Sequence, residues 1–259
     1  GFKTNYNIKF QILMDLNQIK FSVSMSVYHG DNPAFFREAI SSVFNQTLLP
    51  DELILVVDGE VSDETKIIIK EYELSDNIQT IWLKENMGHG HARRVGLHKC
   101  KHELVAIMDS DDICIENRFE KQIECFKTHT NLSLVGASVA EFCTDISDVI
   151  GKKVLPSENE DIKRFLKIRC PVNHMTVMFR KSEVEKAGGY IDWFHNEDYY
   201  LWIRMSLNNA VFYNLEDVLV YARTNPDFYK RRGGWKYFLS EYKLQKFMYS
   251  NKINNIFRC

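Results

Sequence analysis

Hydrophobic and polar positions alternate from Phe21 to Tyr28, where Phe21, Val23, Met25 and Val27 are separated by serines, and this predicts a strand. Asp31-Asn32-Pro33 follows as a cap and a first-turn proline. Beyond it, Phe35, Phe36, Ala39, Ile40, Val43 and Phe44 recur at helical spacing. Leu53-Ile54-Leu55-Val56-Val57 is apolar without interruption, as a strand covered on both faces requires. Helical spacing returns from Asp63 to Tyr72, and Thr80 to Leu83 predicts a short strand. A helix around Ala92 to Cys100 then leads into the apolar run Leu104 to Met108.

Strand and helix alternating in this rhythm predict an α/β fold, an open and largely parallel sheet with helices on both faces. Ligands of such sheets sit at the carboxyl ends of the strands. The residues after each apolar run should therefore gather along one edge: Tyr28-His29-Gly30, Asp58-Gly59 and Asp109-Ser110-Asp111-Asp112. The second half is less regular. Leu134 to Phe142, Met175 to Phe179 and Val218 to Tyr221 predict strands. Helices are expected near Asp161 to Arg169, Asp198 to Leu207 and Trp235 to Tyr249.

A length of 259 residues suits one large domain, or one with an appended acceptor-side portion. The formal net charge of -2 gives no reason to expect a nucleic-acid partner. That average hides a basic tail: from Arg223 onward nine Lys or Arg face only Asp227 and Glu241. The six cysteines form no C-x-x-C pair, which points to a reducing, cytoplasmic compartment and to small buried residues. No apolar run approaches the ~18 residues of a membrane span, and no signal-peptide pattern is visible.

Three constellations could carry chemistry. Several carboxylates at the end of a buried strand, as in Asp109-Ser110-Asp111-Asp112, repel one another and favour a cation. Hard oxygen ligands suit Mg²⁺ or Mn²⁺, which bridge carboxylates to a diphosphate; an acidic turn capping a helix near Glu116 would need the same residues. In Asn196-Glu197-Asp198, either Asn196 or Asp198 caps the following helix, or a carboxylate removes a proton from an attacking hydroxyl. Gly88-His89-Gly90-His91 does not complete a dinucleotide-binding G-x-G-x-x-G, because position 93 is Arg. It is better read as a flexible helix entry that presents Arg93 and Arg94 to phosphate or to the acidic edge.

The order of these pieces resembles glycosyltransferase family 2. Ser22 to Tyr28, Ser41 to Thr47 and Pro50 to Gly59 are similar to its opening segments. Asn86-Met87-Gly88, Ala92-Arg93 and Gly96 match the stretch before its metal motif, and Asp109-Ser110-Asp111-Asp112 matches that motif. Gly188-Gly189-Tyr190, then Glu197-Asp198, Leu201 and Arg204, match its acceptor-side signature. The resemblance spans about Phe21 to Tyr221; it departs where Val57 precedes Asp58, where Glu60 replaces the common serine, and at Arg94.

The resemblance implies a GT-A nucleotide-diphospho-sugar transferase fold, with an open, mixed, mostly parallel sheet, and inversion by direct displacement. Tyr28 and Asp58 would hold the nucleotide base, and Arg93 would lie near base or phosphate. Asp109 would contact the ribose or support the metal, Asp111 would ligate Mn²⁺ or Mg²⁺, and Asp198 would be the catalytic base. Glu197, His174 and Trp202 are expected on the acceptor side. The expected organisation is a 1–20 extension, a 21–112 nucleotide-sugar half, a 113–222 acceptor half and a 223–259 basic aromatic segment. Without the Gln-x-x-Arg-Trp signature of processive synthases, single addition is the better reading.

The tail looks like that of bacterial members that build O-antigen, capsule or exopolysaccharide. Arg223, Arg231 and Arg232 could close over a diphosphate, the donor's or that of a lipid-linked acceptor. Aromatic residues from Trp235 to Tyr249 interleave with Lys236, Lys243 and Lys246, which suits a helix on the inner face of the cytoplasmic membrane. A helix packed on the domain with a solvated basic side fits the same pattern. A UDP-hexose is the expected donor, ahead of GDP- or dTDP-sugars, and a lipid-diphosphate oligosaccharide the expected acceptor. A sugar nucleotidyltransferase, or a catalytically silent sugar-nucleotide-binding module, is the alternative. The first would normally show a glycine-rich basic loop where Tyr28 to Asn32 stands, and the second would be expected to lose Asp111 or Asp198.

Overall fold

The computed structural model describes residues 19–224 and 234–254. Its first half alternates as expected: β1 (Phe21–Tyr28), α1 (Pro33–Phe44), β2 (Glu52–Asp58), α2 (Asp63–Tyr72), β3 (Ile78–Trp82), α3 (His89–Lys99) and β4 (Leu104–Met108). There follow β5 (Ile113–Cys114), α4 (Arg118–Thr128), β6 (Leu134–Phe142), β7 (Val149–Lys153) and α5 (Asn159–Leu166). The chain ends its described part with β8 (Met178–Arg180), α6 (Lys181–Lys186), α7 (Glu197–Leu207), β9 (Phe212–Arg223) and α8 (Trp235–Ser250). No described helix is long and apolar enough to cross a membrane.

The nine strands of the described residues form one sheet in the order β3-β2-β1-β4-β8-β6-β9-β5, with β7 paired to β6. The four strands β3, β2, β1 and β4 are mutually parallel. β8 enters antiparallel between β4 and β6, and β9 runs parallel to β6. The register sets Tyr28 beside Asp58 and Met25 beside Met108, so the carboxyl ends of β1, β2 and β4 share one edge.

The apolar run in β2 serves two cores at once. Leu53, Leu55 and Val57 face a layer with Phe36, Ile40, Ile69 and Phe119, whereas Ile54 and Val56 face Leu97, Leu201 and Trp202. Each such side chain, fully buried, contributes about 1.5–3 kcal/mol relative to exposure. The serines of β1 keep the second layer thin. A Cβ at Gly96 would collide with Ser24 Oγ, so this glycine lets α3 lie directly on the strand.

Asn32, not Asp31, caps α1, accepting from Ala34 N at 2.9 Å with Pro33 as the first helical residue. The strand expected from Met175 is shorter, because His174 to Thr176 form a 3-10 turn before β8. Buried Thr176 explains this: its hydroxyl donates to Asn173 O at 2.7 Å and accepts from Ala137 N at 2.9 Å. β9 begins earlier than expected, at Phe212, because Asn214 ties its start to Pro156 O (2.7 Å) and Pro171 O (2.9 Å).

Candidate active site

The first strand ends supply a preformed edge. Asp58 is buried and accepts from Met87 N (2.7 Å) and Gly88 N (2.9 Å), which pins the loop leading into α3. A carboxylate has about four acceptor positions, so Asp58 keeps capacity for a further donor. Gly59 turns the chain with φ +83°, and a Cβ there would sit 2.6 Å from Asn86 N. Tyr28 stands exposed beside Asp58, its ring edge-on to His29 at 5.2 Å.

The acidic turn is tied to this edge by Asp31, whose place beside Asn32-Pro33 in the sequence predicts no more than part of a cap. Asp31 Oδ2 accepts from Ser110 Oγ at 2.7 Å and from Tyr28 N at 3.1 Å. Asp112 is enclosed and accepts from Arg223 N at 2.8 Å. Burial first, then the Asp111 and Asp109 charges, push its carboxyl up. Desolvation, then Asp109 and Asp31, push the Asp111 carboxyl up to about 6, although part of its surface is open to water. Like charges crowded in this way favour a cation over continued repulsion. Among the described residues, no three His, Cys, Asp or Glu side chains converge as a complete metal site. Mg²⁺ and Mn²⁺ commonly take only one or two carboxylates and complete their shell with phosphate and water.

Beneath the turn lies Arg118, fully buried and also missed from sequence. Its guanidinium donates to Ile107 O at 2.7 Å, Gln122 Oε1 at 3.1 Å and Val177 O at 3.3 Å. Gln122 carries the network on to Thr176 O (2.7 Å) and Val135 O (3.1 Å). The signal was a charged residue and a glutamine four apart on the same helix face as Phe119, Ile123 and Phe126.

Arg93 joins the two sides of the cleft. Its guanidinium lies 3.2 Å from Asp109 Oδ1 and 3.1 Å from Glu197 Oε1. Burial opposes its charge, but Asp109 and Glu197 outweigh it. Glu197 is itself pushed up by burial, with Arg93 drawing it back and Asp198 adding to the rise. Glu197 and Asp198 occupy the first turn of α7, where the helix dipole favours negative charge. Asn196 stands at the cap position but makes no capping bond. It donates instead to Ser240 Oγ (3.2 Å) and Glu241 Oε1 (2.8 Å) on α8. Half-buried Asp198 accepts from its neighbour Tyr199 N at 2.7 Å.

Three expectations are corrected. Trp202 is wholly enclosed, and His174 is buried against it with ring centroids 6.0 Å apart. Both are core residues rather than acceptor walls, because the apolar face of α7 packs on the sheet. His174 Nε2 meets Tyr190 Oη at 2.9 Å, and burial holds its imidazole well below the usual range. The Arg223 guanidinium is enclosed beside the acidic turn rather than open to a diphosphate. Its guanidinium packs between Phe35 and Phe142, 3.9 and 4.5 Å from the ring centroids, pairs with Glu38 and donates to Asp111 O at 3.0 Å. Its donors are therefore committed. Arg231 and Arg232 lie outside the described residues.

The arrangement joins the strand ends of β1, β2 and β4, an acidic turn and the Glu197-Asp198 carboxylates across one arginine. Residues 22–185 match the family described as Glycosyl transferase family 2. The chain is similar to the amylovoran biosynthesis glycosyltransferase AmsE of Erwinia amylovora, 40% identical over 92% of this chain and 89% of the relative. It is 39% identical to the Escherichia coli UDP-Gal:alpha-D-GlcNAc-diphosphoundecaprenol beta-1,3-galactosyltransferase, over 89% of this chain and 83% of the relative. Among solved structures, S. aureus TarS 1-349 in complex with UDP superposes with a TM-score of 0.64 at 23% identity. That match covers 82% of this chain and 63% of TarS 1-349, less than two thirds of its length.

Proposed function

We propose that this chain, which belongs to glycosyl transferase family 2 and has the GT-A fold, adds one hexose from a UDP-sugar to a lipid-diphosphate-linked saccharide in surface polysaccharide synthesis. The observation that carries this reading is Arg93, which holds Asp109 on the donor turn and Glu197 beside Asp198 within one charge network. The donor half would be 21–112 and the acceptor half 113–222.

Tyr28 presents an open ring to the base and Asp58 a remaining acceptor position. Mn²⁺ or Mg²⁺, held by Asp111 with Asp109, would neutralise the charge on the departing diphosphate. Asp198 takes the proton from the acceptor hydroxyl as its oxygen bonds the anomeric carbon. The bond from that carbon to the nucleoside diphosphate breaks on the opposite face, which inverts the centre. One displacement needs one base, unlike the paired carboxylates of a hydrolase. The Arg93 charge keeps Glu197 engaged and leaves Asp198 as the free carboxylate. The sugar-nucleotide specificity and the lipid-diphosphate acceptor rest on the galactosyltransferase relative, whose name prints both.

Calorimetric titration with UDP, GDP and dTDP, with Mn²⁺ and then with EDTA, tests the donor side. Tight UDP binding that chelation removes is the expected result, and preference for another nucleotide would overturn the donor. Transfer from UDP-galactose or UDP-glucose to a GlcNAc-diphosphate lipid tests the acceptor, and product formed only with free sugars would refute it.

A further inference from the structure

A cavity of about 470 Å³ opens between the loop before α7 and helix α8, apart from the donor edge. Its volume is within the range of small-ligand sites. Trp193, Phe194 and Leu239 give it apolar walls, and Lys236 and Lys243 stand at its rim. Asp192 also lines it, but Arg94 Nη2 lies 3.6 Å from that carboxylate and offsets it. Neither lysine has an ion-pair partner among the described residues. Two unpaired cations beside an apolar slot match a ligand with a diphosphate head and a hydrocarbon tail.

The groove is bonded to the loop that carries the base. Ser240 Oγ donates to Phe194 O at 2.6 Å, and Asn196, next to Glu197, donates to Ser240 and Glu241. The groove therefore adjoins the loop that leads into Glu197 and Asp198. Outside the groove, Trp235, Phe238, Tyr242 and Tyr249 are 71, 56, 58 and 45% exposed. At 100° per residue these four fall within about 60° of one another on α8, a single aromatic stripe. Leu244 and Met248, on the opposite side, are buried. Lys236 and Lys243 flank the stripe on the groove side, as expected of a helix lying at an anionic interface.

We propose that this groove binds the diphosphate and first isoprene units of a polyprenyl-diphosphate acceptor, with Lys236 and Lys243 on the diphosphate. The aromatic stripe would rest in the bilayer that holds the rest of the tail. The proposal rests on the acceptor reading above and adds to it the place where the lipid end is held.

The test is calorimetric titration of farnesyl diphosphate into the full chain, with UDP at saturation so that the donor diphosphate site is filled. Farnesyl diphosphate should bind at least tenfold more tightly than farnesol or inorganic diphosphate. The double variant Lys236→Gln/Lys243→Gln should lose at least tenfold of that affinity and leave UDP binding unchanged. Leu239→Asp should weaken farnesol and farnesyl diphosphate together. Unchanged affinity in the double variant, or equal binding of inorganic diphosphate, would overturn the groove. The acceptor KM separates the two ideas. If a GlcNAc-diphosphate lipid is a substrate and its KM ignores both lysines, the groove fails and the proposed function stands. If farnesyl diphosphate binds as described but no lipid-diphosphate saccharide accepts sugar, the proposed function fails and the groove stands.

Discussion

On the donor edge, Asp58 takes two backbone N–H bonds, Asp31 joins Tyr28 to Ser110, and Asp112 is sealed by Arg223 N. The acceptor loop from Trp193 to Asn196 rests mainly on Ser240 and Glu241 of one helix. The first region is a set of mutually braced strand ends, and the second is a segment clamped from one side. A nucleotide with a fixed shape can be met by a rigid edge. Under the proposed function, changes on α8 would reach the loop without touching strands β1 to β4, and acceptor choice would be separable from donor chemistry.

The largest effects should come from breaking each side separately. Asp111→Ala is expected to abolish metal-linked donor binding, read as loss of the UDP isotherm. Asp198→Asn should keep that isotherm and lower kcat by about 10²–10⁴; near-normal turnover would remove Asp198 as the base. Next is Arg118→Leu, which strips a buried guanidinium from two carbonyls and Gln122. Urea unfolding should show a loss of about 2–4 kcal/mol, and the donor edge should loosen with it.

A smaller effect separates the layer beneath Arg93. Folded His174, facing Tyr190 Oη and held down by burial and by the Arg93, His89 and Arg118 charges, resists protonation. The unfolded chain takes that proton below about pH 6.5, so stability is complete above this pH and falls below it by ~1.4 kcal/mol per unit. The difference in urea midpoint between wild type and His174→Gln, compared at pH 7.5 and 5.5, isolates this slope. Parallel slopes would show that His174 titrates normally. Asn196→Ala should cost least, about 1 kcal/mol, and should raise the acceptor KM more than the donor KM. Equal changes in both would dissolve the distinction between the two regions.

Much of the donor edge was legible because β1, β2 and β4 are long, patterned strands followed at once by polar residues. The run Leu53 to Val57 predicts burial on both faces, and Asp109 to Asp112 stands where such a strand ends. The acceptor side obeys no such period. The spacing of Trp202 beside Glu197 says nothing of which face α7 turns inward, and His174, on the 3-10 turn before β8, is enclosed by Tyr190 and Trp202, which follow it in the chain. Arg223, expected with Arg231 and Arg232 over a diphosphate, meets Phe35, Phe142 and Glu38, which lie far away in sequence and leave no mark on the basic tail. Thr176 and Asn214 redirect the chain through side-chain bonds to distant carbonyls, and composition carries no trace of those. The link from Arg93 to Glu197 spans more than a hundred residues and becomes visible only when α3 and α7 meet.

The sealing of Asp112 by Arg223 also has a meaning in time, during synthesis. Chains emerge from the N-terminus and fold as their partners arrive. Strands β1 to β4 are complete by Met108, but β5 pairs with β9, and Asp112 waits for an amide 111 residues downstream. A nascent chain that has not reached Phe212 already has its parallel sheet, yet its acidic turn is unfinished. The acidic corner is thus closed by β9, so that a chain stopped before Phe212 holds the parallel scaffold without the completed corner.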